Sequence, residues 1–73
     1  MQQLRLTHPE LDFWVDVRVR GIDGRWLAVA DLTDEPDIGI GASAEEAVLG
    51  ALAALGTRYA TAMAKQVTPD GRA

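Results

Sequence analysis

The chain has 73 residues, 48% of them hydrophobic, with 11 acidic against 7 basic side chains, a net charge of −4 and no cysteine. That length allows one domain, whose core alone supplies only ~3–5 kcal/mol of net stability. With disulfides excluded and a structural zinc site a poor fit, oligomerisation is the remaining staple, and the acidic balance weighs against phosphate-rich partners unless the arginines gather on one face.

Leu4 and Leu6 alternate with Arg5 and Thr7, which predicts a short first strand ending before Pro9. From Leu11 to Arg20, Phe13, Val15, Val17 and Val19 alternate with Trp14, Asp16, Arg18 and Arg20. Period-two alternation with β-branched residues predicts a strand buried on one face. Asp23-Gly24 then suits a two-residue type I′ hairpin, which sets Ile22 opposite Arg25, Val19 opposite Ala28, Val17 opposite Ala30 and Val15 opposite Leu32. Those valines and alanines, with Phe13, Trp26 and Leu32, make the inner face. Trp14, Asp16, Arg18, Arg20, Leu27, Val29 and Asp31 make the outer one. Thr33–Asp37 reads as a polar loop in which Pro36 stops the strand, and Ile38 and Ile40 form another short strand.

Ser43 stands at a helix N-cap position with Glu46 three residues later, a capping box in which each side chain bonds the other's backbone N–H. Val48, Leu52, Leu55, Tyr59 and Met63 form an apolar stripe along the helix that follows. Burying each such side chain is worth ~1.5–3 kcal/mol, so this stripe against the sheet dominates stability. Gly50 sits among alanines and permits close backbone approach. Gly56 is either tolerated within one long, kinked helix or ends a first helix before Thr57 restarts a second; one long helix is the expectation. The fold expected is therefore α+β: a three- or four-stranded antiparallel sheet covered on one face by a long C-terminal helix. Residues 1–67 form the single domain, and the polar, Pro/Gly-containing stretch 68–73 is a disordered tail. No uncharged apolar stretch reaches the ~20 residues of a membrane span, and Met1–Arg5 lacks the layout of a signal peptide, so a cytoplasmic location is expected.

Few residues suggest chemistry. Asp16 and Asp31 would lie opposite each other on the outer face, an arrangement that invites a metal but is neutralised by Arg18 nearby. His8, the only histidine, reads as a solvated loop residue. Ser43, the only serine, is committed to the cap. Gly39-x-Gly41 before a helix lacks the third glycine of a dinucleotide fingerprint and is followed by two glutamates that repel phosphate. No catalytic, cofactor-binding or metal-ligating set is expected. The outer-face patch of Trp14, Leu27 and Val29 edged by Arg18 and Arg20 is the candidate partner surface, since tryptophan and arginine are enriched at interface hot spots.

The stretch Asp23-Gly24-Arg25-Trp26-Leu27-Ala28-Val29-Ala30-Asp31-Leu32, then Pro36, then Gly41-Ala42-Ser43-Ala44-Glu45-Glu46-Ala47 resembles the N-terminal domain of HicB-type antitoxins and their orphan relatives, over residues 13–55. The resemblance implies a β-β-β-α domain that self-assembles and occludes a small RNA-cleaving toxin. The family's Pro-Asp-Leu-Pro-Gly-Cys loop is represented here only by Asp31-Leu32 and Pro36. Its DNA-binding segment has no counterpart after the helix, so operator binding is not expected. The function expected is a non-catalytic, antitoxin-like interaction module whose partners are itself and a small toxin-like protein. The alternatives are an RNA-binding module of double-stranded-RNA-binding-like topology and a small metal-dependent hydrolase built on the paired aspartates.

Overall fold

A computed structural model describes residues 2–8 and 10–72; Met1, Pro9 (expected to end the first strand) and Ala73 (the last residue of the tail) lie outside the described residues. Strands β1 (Gln2–Thr7), β2 (Trp14–Ile22), β3 (Arg25–Ala30) and β4 (Asp37–Gly41) form one antiparallel sheet in the order β1-β2-β3-β4, followed by helices α1 (Ala44–Ala51) and α2 (Thr57–Ala64) with a 3₁₀ turn at Ala53–Leu55 between them. The class is α+β, and the sheet has four strands.

The hairpin follows the sequence pattern. Asp23 and Gly24 take φ of 48° and 79°, the paired positive values of a type I′ turn. Ile22 pairs with Arg25, Val19 with Ala28 and Val17 with Ala30. The pairing of Val15 with Leu32 does not form, because β3 ends at Ala30, and Val15 pairs across its other side with Leu6. Leu32 still packs half-buried against the core, as do Phe13 and Trp26.

The core lies between the inner sheet face and the helices: Leu4, Leu6, Val15, Val17, Val19, Ala28 and Ala30 against Ala44, Ala47, Val48, Ala51, Leu52, Ala60, Met63, Ala64 and Val67. Its tightest point is Gly39. A methyl group there would stand 2.0 Å from the Ala47 carbonyl oxygen and 2.4 Å from the Ala51 nitrogen, and one at Gly50 would stand 3.2 Å from the Gly39 Cα. Helix α1 thus rests directly on the backbone of β4. Its start is capped by Ser43, whose Oγ accepts from the Glu46 N–H at 3.1 Å. The return bond of the expected capping box is absent among the described residues; the Glu46 stem instead lies over Gly41, where a Cβ would meet it at 2.7 Å.

The single long helix is not formed. Gly56 has φ 92° and ψ 152°, a conformation outside the helical region and open essentially to glycine alone, and it divides the segment in two. Length supplies the reason. A straight helix from Ala44 to Val67 would run ~36 Å, about twice the ~17 Å of a five-residue strand such as β4. The break turns α2 back toward β1, so Ala60, Met63, Ala64 and Val67 reach the core. The expected stripe divides accordingly: Val48, Leu52 and Met63 are buried, Leu55 is half-buried and Tyr59 is exposed. After α2, Thr68–Arg72 closes a turn in which the Gly71 N–H donates to the Thr68 carbonyl at 2.9 Å, and Gly71 packs against Trp26.

Gly39→Ala should destabilise the fold by ~3 kcal/mol or more, because the added methyl meets rigid backbone. Gly24→Ala, at an open turn position, should cost about 1 kcal/mol. Urea unfolding of the two variants, with unchanged slopes, checks the contrast.

Candidate functional site

The helices cover one sheet face and leave the other open. The register places its side chains in rows across the strands: Gln3, Arg18, Val29 and Ile38 in one, Arg20, Leu27 and Ile40 in the next, with Arg5 beside Asp16 and Thr7 beside Trp14 further along. Alternation dictates this arrangement. With Gly39 and Gly41 turned inward beneath α1, Ile38 and Ile40 must point outward, and they are 61% and 64% exposed. The pattern of β2 and β3 assigns these two isoleucines to no face. The signal that could have placed them was the Gly-Ile-Gly alternation itself, since only the glycines tolerate a helix resting on the strand.

The structure brings together Arg18, Arg20, Leu27 and Val29 from the expected surface and adds Ile38 and Ile40 to them. It does not bring Trp14 to that cluster. Trp14 lies four residues along β2 from Arg18, ~13 Å away by strand rise, with Asp16 between. It is 57% exposed, and the Arg5 guanidinium sits 5.2 Å from its ring centroid, within cation–π range. An apolar groove of about 330 Å³ lined by Ile22, Asp23, Arg25, Trp26, Leu27 and Ile40 continues the strip toward the hairpin.

Charge is unevenly placed. Arg5, Arg18, Arg20 and Arg25, four of the 7 basic residues, stand on this face. The β2–β3 ladder stops at Val17 and Ala30, one position short of Asp16 and Asp31, which both line one shallow cavity with Trp14. Arg5 grips Asp16 with two hydrogen bonds of 2.9 and 3.3 Å, and Arg18 lies 3.9 Å from Asp31. The Arg5 hydrogen bonds, then its charge, hold the Asp16 carboxyl below its ordinary range, and the same bond raises Arg5. Neither Arg20 nor Arg25 forms a salt bridge among the described residues. No three His, Asp or Glu side chains gather as a metal site among them either.

His8 is not a solvated loop residue. It is 8% exposed, and its Nδ1 accepts the backbone N–H groups of Glu10 and Leu11, each at 3.0 Å. The ring stacks on Phe13 at 5.7 Å and meets Tyr59 edge-on at 4.9 Å. His8 therefore shapes the β1–β2 connection and ties it to α2. Glu10, Arg58 and Tyr59 join it around a cavity of about 150 Å³. No local pattern signals this, because Tyr59 comes from a distant helix.

Because the Asp16 carboxyl is lowered, the stabilisation from its pairing with Arg5 is complete above the ordinary carboxylate range near ~4 and is lost as the pH falls through the lowered value. Wild type should therefore exceed Asp16→Asn in stability by a constant margin at neutral pH. The two should converge in acid, and the margin should shrink in high salt; thermal unfolding between pH 2 and 7 reads this out.

Comparison with protein-family models, curated proteins and solved structures yields no match for this chain. No helix among the described residues is long and apolar enough to cross a membrane.

Proposed function

We propose that this protein is a non-catalytic interaction module, antitoxin-like in the HicB sense, that binds a protein partner through its open sheet face. The observation that carries this reading is the outward pair Ile38 and Ile40, continuous with Leu27 and Val29 and edged by Arg18 and Arg20. A small sheet-plus-helix domain with aliphatic side chains at such exposure presents the kind of patch that marks interaction sites. The arginine rim sets the partner's chemistry: an apolar surface with acidic groups around it. A small toxin-like protein encoded beside this chain is the partner class that the HicB resemblance implies, and cytoplasmic action accompanies it.

A second reading, contact with RNA on the same face, is favoured by the gathering of four arginines on one side of an acidic chain. Its signature is binding to duplex RNA that falls steeply with salt, whereas an apolar protein interface responds weakly. No binding at low salt removes it.

Co-expression with the neighbouring small protein should give a co-eluting complex. Arg20→Glu together with Leu27→Ser should weaken that complex ~30-fold or more, the scale of a lost hot spot, with circular dichroism unchanged. A complex indifferent to both substitutions would remove this face from the mechanism. A neighbour that never binds would remove the antitoxin-like reading.

A further inference from the structure

The two edges of the sheet are treated differently. A two-residue hairpin closes with a hydrogen-bonded pair, here Ile22 and Arg25. Alternation from that pair directs the backbone groups of Leu27 and Val29 toward β2, and those of Trp26, Ala28 and Ala30 toward β4. Their partners Gly41, Gly39 and Asp37 therefore face β3, and the N–H and C=O groups of Ile38 and Ile40 face outward from the free edge. The same alternation across β2 directs the Thr7 backbone to the free edge of β1. There the Gln66 side-chain amide occupies it: Oε1 accepts the Thr7 N–H at 3.4 Å, and Nε2 donates to the Thr7 carbonyl. One end of the β1 edge, at Thr7, is thus covered by a side chain from beyond α2. The β4 edge carries no lysine, bulge or internal proline, the usual defences of an edge strand, and it displays the two most exposed large hydrophobic side chains among the described residues.

We propose that a second copy of the chain pairs with β4, antiparallel about Gly39, to join the two sheets into one of eight strands. The strand is self-complementary in that register. Ile38 lies opposite Ile40 of the partner subunit, and Ile40 opposite Ile38 of the partner subunit, so the free N–H and C=O groups meet in two reciprocal pairs. Asp37 falls opposite the partner's Gly41, which avoids like charges directly across the ladder. Gly39 meets its own copy on the twofold axis, as an isologous interface requires. On the helix side, a second strand at ~4.8 Å brings the partner's α1 alongside α1. A groove of about 420 Å³ beside α1 is lined by Ile40, Glu46, Leu49, Gly50, Ala53 and Thr57 among others, and the small side chains at Gly50 and Ala53 leave room for a neighbouring helix. On the open face, four isoleucines become contiguous between two arginine-bearing wings. This pairing extends the face assigned above yet uses backbone groups of β4, so either can fail without the other.

The absence of cysteine permits a direct test. In the proposed register Cα atoms of residues 38 and 40 of opposite subunits lie ~5.5 Å apart, within disulfide reach, whereas two copies of residue 38 are separated by more than ~7 Å. Both positions are exposed, so substitution leaves the core intact. Chains carrying Ile38→Cys mixed with chains carrying Ile40→Cys should form a disulfide-linked dimer on mild oxidation, and either variant alone should not. The wild type should sediment as a dimer at ~100 μM, undiminished in high salt because backbone pairing and apolar burial carry it. A monomeric wild type, no crosslinking in the mixture, or equal crosslinking of either variant alone would each overturn the proposal. The test on Arg20 and Leu27 would stand unaffected.

Discussion

Everything in this structure depends on the closeness of α1 to β4. Gly39 has no side chain, so the helix backbone at Ala47, Gly50 and Ala51 descends until even a methyl group would collide with it. Once the helix rests there, the alternation of the strand leaves no freedom. Gly39 and Gly41 belong to the core side, and Ile38 and Ile40 belong to solvent. The covered face is rich in alanine and valine for the same reason, since a helix this close leaves little depth for larger side chains. The most exposed apolar side chains are thus a consequence of the tightest packing.

The second constraint is length. A helix long enough to carry all the apolar residues after Ser43 would overhang a sheet of five- to nine-residue strands. Gly56 resolves the mismatch by turning the chain, and α2 then covers the part of the core that α1 does not reach. Two long-range ties hold α2 in place: Tyr59 against His8, and Gln66 along the Thr7 backbone. Both join the end of the chain to its beginning. Both ties depend on the turn at Gly56, which brings the end of the chain back toward β1.

Electrostatics adds direction to this geometry. The chain is acidic as a whole, yet its open face carries four arginines, two of them engaged with Asp16 and Asp31. Exposed ion pairs of this kind contribute little to stability, and Arg20 and Arg25 are the two arginines of this face without a salt bridge among the described residues. An arginine rim around aliphatic side chains favours an acidic, apolar surface over a basic one.

Much of this was legible in the residues, and the boundary is physical. The hairpin, its register and its inner face could be read because each depends on neighbours within a few positions: Asp23-Gly24 for the turn, alternating valines for the buried face, Ser43 for the cap. The candidate surface was legible in part. Arg18, Arg20, Leu27 and Val29 follow from alternation on β2 and β3, whereas Trp14 shares their face but not their place on it, because strand parity does not report distance along a strand. By itself the sequence determined the strands, the turn, the cap and the sidedness of β2 and β3, all set by local backbone preference and period. The tertiary structure alone decided where Ile38 and Ile40 point, how Gly56 resolves, why His8 is buried and where Gln66 docks. Each of those depends on a contact between segments far apart in the chain, whose packing no local pattern encodes.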